Sequence, residues 1–450
     1  MIYRSQNPFT GEVGSGFPLS ELPDWQQLTA VQQRWADLSI AQRVEPFAIM
    51  KGLILREIDG LARQITAEMG KPYRESVHEL EKCITAIDYY RHHAEAFLAP
   101  RPLKDVSYYA AVHPEPLGLI LGVMPWNFPF WQVLRFAIPA LSAGNVVLVK
   151  HAPNVPGCSL ALEDLFIRSG FPLGVYTQYF WDAVQVQQVL VDDHLDGLSF
   201  TGSEATGSHL AGLAGKGLKK AVMELGGNDP FIVFPDADIA ETVQAAIRSR
   251  KINSGQACNG AKRFLVHSDV YPAFIARMLQ AVEGLSVGDP MDAMTDIGPL
   301  ARLDLADKVR RQIHATVQQG AKLHQRVSPA GLSHCFVLPA VLENVQPGMT
   351  AFEEEIFGPV FSVTPFSDTS TAISLANATR YGLAASIWTG DDVFARRLIP
   401  KLRAGNVYVN EVVKSDPRLP FGGVRKSGFG RELAEFGLLE FVNLKTVFIR

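Results

Sequence analysis

Apolar positions change their period several times along the chain, and each change predicts a change of element. Residues 1–20 hold Gly, Pro and Ser without a steady period and are expected to be extended or irregular. From about residue 21 to 98 the period is helical. Ile54, Ile58, Leu61 and Ile65 recur at three- and four-residue steps, the stripe of one buried helix face. A second helix is predicted from Lys71 to Ala96, with Pro72 near its first turn and charge on its outer face. His92 and His93 lie side by side in it, point apart, and read as surface residues rather than a metal pair.

The pattern then turns β-prone from Val106 to His113 and is expected to break at Pro114-Glu115-Pro116. The last residues, Phe441 to Ile449, are a second isolated strand candidate. Exposed strands need partners. These two could pair with each other or with another subunit, and periodicity does not choose. Between 117 and 235, apolar β-rich runs alternate with helical ones: 117–124, 145–149, 175–180, 197–200, 220–223 and 230–234. Such alternation implies a parallel sheet covered on both faces, with ligands bound beyond the carboxyl ends of its strands. Trp126, Asn127, Lys150, Gly202, Ser203 and Glu224 all fall just after such runs. Residues 236–410 repeat the alternation as a second α/β unit, and a glycine-rich loop, residues 420–430, precedes a closing helix.

Composition narrows the class. A chain of 450 residues exceeds one compact core and suggests roughly two or three domains. Hydrophobic residues make up 47% and charged residues 20%, as in soluble globular proteins. The net charge of −4, without long basic or acidic blocks, argues against nucleic acid and anionic membranes as partners. Neither a secretory leader nor a membrane-spanning run is recognisable, and a cytoplasmic location is expected. Cys83, Cys158, Cys258 and Cys335 are far apart, with no C-x-x-C and no zinc spacing, so no metal site is expected. That usage favours a reducing compartment and a free thiol.

One of these thiols sits in a segment suited to chemistry. Cys258 lies in Asn253-Ser254-Gly255-Gln256-Ala257-Cys258-Asn259-Gly260, among small polar residues rather than the aliphatic ones that surround a structural cysteine. Glu224 ends an apolar run and is followed by Leu225-Gly226-Gly227, and Asn127 stands between Pro125 and Pro129. A nucleophile, a carboxylate base and a side-chain amide donor are the parts needed for covalent chemistry at a carbonyl.

With these residues in hand, the chain is seen to resemble the NAD(P)-dependent aldehyde dehydrogenase superfamily. The matching pieces are PWNFP (125–129), VLVK (147–150), FTGS (200–203), MELGG (223–227), GQAC (255–258), EEIFGP (354–359) and PFGGVRKSGFGRE (420–432), in the family's order and spacing. The resemblance implies an α/β fold with two Rossmann-like three-layer domains and a small β oligomerisation arm. Residues 1–103 and 117–225 would form a discontinuous NAD(P)-binding domain, 226–432 the catalytic domain, and 104–116 with 433–450 the arm of a homodimer or homotetramer. It further implies that Cys258 attacks the aldehyde, that Asn127 with the Cys258 N–H holds the oxyanion, and that Glu224 is the base for thioester hydrolysis. Ser203 would contact the pyrophosphate, Lys150 the adenosine ribose and Glu355 the nicotinamide ribose, with Phe357 beside it. Met124, Trp126, Gly202 and Leu225 complete the expected nucleotide site. Many NAD-using members carry an acid after the lysine. Here the run is Lys150-His151-Ala152-Pro153, so either NAD or NADP is expected.

The resemblance is greatest to bacterial succinate-semialdehyde dehydrogenases. Arg135, eight residues after Asn127, and Ser415, five before Pro420, match contacts to the distal carboxylate. Another arginine of those enzymes, six residues before the cysteine, is Ile252 here. A site without it would take other ω-carboxy aldehydes or use Arg418 or Gln256 instead. A relative that passes the acyl group to coenzyme A and a non-enzymatic scaffold are the alternatives.

Overall fold

The computed structural model describes residues 2–326 and 331–450. Residues 327–330, inside the segment expected to form the second domain, lie outside the described residues. Two sheets organise the chain. The first runs in the order Gly428–Phe429, Lys220–Glu224, Gly197–Thr201, Leu119–Val123, Val146–Lys150, Tyr176–Gln178. Its strands are parallel except Gly428–Phe429, which runs antiparallel along Lys220–Glu224. These strands read as nearly unbroken apolar runs because helices bury both of their faces. Leu119–Val123 comes first in sequence yet lies centrally, with later strands added on either side. The strand order therefore reverses at its carboxyl end, where a crevice opens in such sheets. Asn127 follows immediately.

The second sheet has the order Lys322–Gln325, Ala340–Glu343, Val360–Phe366, Arg263–His267, Pro230–Val233, Ala384–Trp388, Asn406–Val409, antiparallel only at Lys322–Gln325. Separate apolar clusters cover its two faces. The run at 230–234, expected to continue the first alternation, belongs to this second sheet. The chain crosses between the sheets directly after Glu224, through Leu225–Asp229. The segment that carries Cys258 lies just before Arg263–His267, so it meets the carboxyl ends of the first sheet from the opposite side.

Three local expectations change. Residues 1–20 are not irregular: Ile2–Gln6 and Val13–Pro18 form an antiparallel hairpin. The strand Tyr109–Pro116 continues through both prolines and pairs with Val442–Ile449, Pro114 opposite Leu444 and Pro116 opposite Val442. Two prolines spaced by two remove N–H groups from the same edge of a strand, and beyond Val112 that edge has no partner strand to lose. The two isolated strands thus pair with each other within the chain. Finally, the helix Tyr73–Phe97 does not carry all its charge outward: Glu79 and, just before the helix, Lys71 are buried against each other as an ion pair. Elsewhere the helical reading holds, with Ile54, Leu61 and Ile65 buried on the helix Pro46–Met69, Ile58 half-buried beside them, and His92 and His93 exposed.

Candidate active site

The segment that carries Cys258 is shaped by three successive residues of positive φ: Asn253 at 53°, Ser254 at 52° and Gly255 at 80°. Left-handed backbone is costly for residues with a Cβ and survives only where the surroundings hold it. Here the Asn253 side chain donates to the carbonyls of Asn127 (2.7 Å) and Gln256 (3.2 Å), and its N–H is taken by Glu75. A Cβ on Gly255 would collide with the backbone of Gly358 and Pro359, so glycine is required there for space as well as conformation. Lys262 turns inward and donates to the carbonyls of Ala257, Cys258 and Gly260. Its ammonium therefore clamps the loop by its carbonyls, and Arg263 is spent on the carbonyls of Asn228, Leu375 and Ala376.

Cys258, Asn127 and Glu224 line one cleft of about 1040 Å³ between the sheets, together with Trp126, Gly202, Ser203, Leu225, Glu355 and Phe357. Burial pushes the Cys258 thiol up to about 11, against the opposing pull of Arg135 and Lys262. Asn127 gives one amide hydrogen to the carbonyl of Gln256 at 3.0 Å. The amide carries two hydrogens, so a second remains for another acceptor. Glu224 is buried, and neither carboxylate oxygen has a hydrogen-bond partner among the described residues. Burial, then the neighbouring Glu432, raises its pKa well above the carboxylate range. The glycine-rich loop fixes its strand end: Gly428 pairs with Glu224, and the Leu225 N–H reaches the Ser427 carbonyl at 3.0 Å.

The first sheet also presents features that fit a dinucleotide. Ser203 caps the helix Glu204–Lys216 by accepting from the Thr206 N–H, leaving a helix N-terminus open to the cleft, where anions bind favourably. Trp126 and Phe357 meet edge to face at 6.0 Å. Glu355 lines the same cleft, holding Lys262 at 3.2 Å and accepting from the Gly227 N–H. Lys150 lies at the end of its strand, half-buried, and Met124 donates to its carbonyl. Burial lowers the Lys150 ammonium to about 8.

The arginine expected to hold a substrate carboxylate is placed differently. Arg135 is 2 % exposed and its Nε forms an ion pair with Glu432, close but without hydrogen-bond alignment, while Nη2 donates to Thr201 at 3.1 Å. It does not line the cleft, and its charge is already met inside the protein. The expectation for Arg135 is corrected on that ground. Gln256 is also committed, accepting from the Ala301 N–H and donating to the Asn253 carbonyl, and Arg418 is exposed and paired with Asp416. Ser415 is buried and accepts from Lys82. Lys82 and Glu432 carry no signal in the sequence that marks them for the site. Glu432 ends the run PFGGVRKSGFGRE, but nothing local distinguishes it from a surface acid. Lys82 sits in a charged helix whose inward face is not separable by pattern from its outer one.

The aldehyde dehydrogenase family model matches residues 3–447. The chain belongs to the aldehyde dehydrogenase family. Among curated members of that family, it is 42% identical to the NAD(P)+ succinate semialdehyde dehydrogenase Sad of Escherichia coli (strain K12), over 98% of this chain and 97% of the relative. It is 41% identical to the NADP+ succinate-semialdehyde dehydrogenase of Mycolicibacterium paratuberculosis (strain ATCC BAA-968 / K-10), over 98% and 96%. The crystal structure of succinic semialdehyde dehydrogenase from Streptococcus pyogenes in complex with NADP+ superposes with a TM-score of 0.95 at 32% identity, covering 99% of each chain. The two-sheet α/β architecture is that of the aldehyde dehydrogenases.

Proposed function

We propose that this chain is a succinate-semialdehyde dehydrogenase that uses NADP+ or NAD+, with Cys258 as nucleophile, Asn127 as oxyanion donor and Glu224 as hydrolytic base. The observation that carries the reading is that one cleft gathers the thiol, an amide with a spare hydrogen and an unpartnered buried carboxylate beside an open helix N-terminus. The names of the similar enzymes from Escherichia coli and Mycolicibacterium paratuberculosis supply the substrate.

In this mechanism the Cys258 thiol gives its proton to water, its sulfur bonds to the aldehyde carbon, and the C=O pair moves to the oxygen, which gains the negative charge. The spare Asn127 hydrogen and the Cys258 N–H meet that charge. When bound, the nicotinamide supplies the acceptor for the hydride lost from the same carbon. Glu224 then takes a proton from the water that attacks the thioester, the C–S bond breaks, and the sulfur recovers a proton. Ser203 and the helix it caps would hold the pyrophosphate, Lys150 the adenosine ribose, and Glu355 with Phe357 the nicotinamide end. Trp126, Gly202 and Leu225 line the same cleft, whereas Met124 is buried and does not. His151 is buried, held by the Pro129 carbonyl and Ser159, and burial lowers it to about 4, so the residue after Lys150 is neutral. No carboxylate in residues 151–154 opposes a 2′-phosphate, which favours NADP+ being accepted.

The test is an aldehyde panel assayed with both nucleotides, alongside Glu224→Gln. Succinate semialdehyde should be preferred over butanal. The variant should release about one equivalent of reduced nucleotide per competent site and then stall. Normal steady turnover in Glu224→Gln would remove Glu224 as the base, and indifference to the carboxylate would remove the substrate assignment.

A further inference from the structure

One ion pair joins the two sides of the cleft at its rim. Arg380 precedes the strand Ala384–Trp388 of the second sheet, and its Nε lies 3.0 Å from Oε2 of Glu204. Glu204 is the first residue of the helix Glu204–Lys216, directly after the capping Ser203. Both residues line the cleft, as does Tyr381. Three cations line it in all: Arg302, Lys308 and Arg380. Arg302 pairs with Asp304, two residues on, and among the described residues Arg380 alone of the three is ion-paired to the helix that opens there. The backbone under Arg380 is fixed: its carbonyl accepts from the Lys426 N–H at 3.1 Å, and Arg425 donates to the carbonyl of Thr379. The guanidinium is held more loosely. It lies 5.1 Å from the centre of the Tyr381 ring, and its Nη2 donates to the Tyr381 hydroxyl at 3.1 Å. Glu204 Oε2 receives no aligned hydrogen bond from it.

Glu204 and Arg380 hold each other weakly. More than half of the Arg380 side chain is exposed, and an ion pair in such a position contributes little against water and salt. What matters is its place. The first-turn N–H groups of a helix have no partner within the helix, and its N-terminus favours an anion. Glu204 sets a carboxylate beside those groups, where an arriving pyrophosphate would meet a like charge. Arg380 stands next to that carboxylate with donors to spare: of its five N–H groups, one serves the Tyr381 hydroxyl. A guanidinium holds phosphate oxygens through two parallel hydrogen bonds, which are stronger than the unaligned contact it would leave. Exchange of Glu204 for a phosphate therefore favours Arg380.

We propose that Arg380 is a nucleotide-binding residue, which exchanges Glu204 for the pyrophosphate of NAD+ or NADP+ when the nucleotide occupies the cleft. This rests on the nucleotide reading of the cleft and adds to it a phosphate contact from the second sheet's side, opposite the helix capped by Ser203. The pyrophosphate is common to both nucleotides, so the contact tightens both and selects neither. Glu204 works against it, because its carboxylate competes for Arg380 and repels the incoming charge.

The test is calorimetric titration of the full chain with NADP+, NAD+ and ADP-ribose, which keeps the pyrophosphate but lacks the nicotinamide. The unaltered protein is compared with Arg380→Met, Arg380→Lys and Glu204→Gln, and the thermal midpoint of each is recorded without nucleotide. Arg380→Met should weaken all three ligands to the same degree, at least about tenfold, as loss of a hydrogen bond to a charged group does. Arg380→Lys should recover part of that loss. Glu204→Gln should have the opposite sign and bind all three more tightly. Unchanged affinity in Arg380→Met overturns the assignment. A loss confined to NADP+ also overturns it, since the arginine would then meet the 2′-phosphate. Weaker binding in both Arg380→Met and Glu204→Gln, with lowered midpoints, would reduce the pair to a bridge between the two sides and overturn it as well. If the unaltered protein binds neither nucleotide, the nucleotide reading itself fails; nucleotide binding that Arg380→Met leaves intact removes Arg380 alone.

Discussion

A thiol at about 11 is a weak nucleophile at rest, and Cys258 is in that condition because its burial outweighs the compensating charge of Arg135 and Lys262. Only about one thiol in ten thousand would be ionised at pH 7. The sign follows directly: ionisation grows as pH rises, and reactivity grows with it until pH passes the raised value. Alkylation of Cys258 by iodoacetamide, followed by peptide mass spectrometry, should therefore climb about tenfold per pH unit from 7 to 9. A plateau near pH 8 would mean the sulfur is already activated in the resting enzyme. Cys83 and Cys158 are buried, and burial raises both thiols well above the ordinary range, so they provide slow internal references. Arg135 belongs to the same scale. It lowers both the Cys258 thiol and the Glu224 carboxyl, and it neutralises Glu432. Arg135→Met should thus reduce kcat/KM equally for succinate semialdehyde and butanal, and should lower the thermal midpoint because Glu432 is left buried and unpaired. A loss confined to the carboxylate-bearing aldehyde would return Arg135 to the substrate site.

At the scale of elements, the helix Tyr73–Phe97 acts as a bracket for the loops around Asn127, Cys258 and Ser415. Three of its residues, spaced by four and three, reach them in turn: Glu75 takes the Asn253 N–H, Glu79 takes the N–H groups of Phe130 and Trp131 at 2.8 and 2.9 Å, and Lys82 reaches Ser415. That spacing is visible in the sequence. Its direction is not, because a polar stripe facing a buried site and one facing water have the same period. The strands of the first sheet are legible for the opposite reason: burial on both faces leaves continuous apolar runs, bounded by glycine and proline, that are too short for a helix of the same composition. Asn127, Glu224 and Ser203 can be placed at strand ends from those runs alone, whereas Glu432 needs the pairing of Gly428 with Glu224, which joins positions far apart in the chain. Glu79→Gln offers a measure of the bracket. It leaves Lys71 buried without a counter-charge and should cost roughly 3–5 kcal/mol of stability. Lys71→Met combined with Glu79→Gln should recover part of it, as read by thermal or denaturant unfolding. Additive losses would show that the two residues do not act as a pair.

For the whole molecule, the exposed sheet built from Arg101–Pro102, Tyr109–Pro116 and Val442–Ile449 is the feature that calls for a partner. Val442–Ile449 is an outer strand with Leu444, Phe448 and Ile449 exposed, an apolar edge that isolated proteins usually protect. We expect it to be covered by a second copy of the chain. Lysine substitution at both Leu444 and Phe448 should shift the protein to a smaller species in light scattering, with the thermal midpoint of the remaining fold little changed. An unaltered mass would place the interface elsewhere.

The pairing of Gly428 with Glu224 has a consequence for how the protein is made. A chain emerging from the ribosome folds broadly from its amino end, and the parallel strands of the first sheet are complete once residue 224 is out. The strip that holds Glu224 in place, and Glu432 that faces it, are synthesised almost last. Until that strip is made, the strand end at Glu224 lacks the pairing that fixes it in the complete chain. On the proposed reading of Glu224 as the base, hydrolytic competence would be acquired late, and a chain truncated before residue 428 should hold the Cys258 loop without the strip that pairs with Glu224.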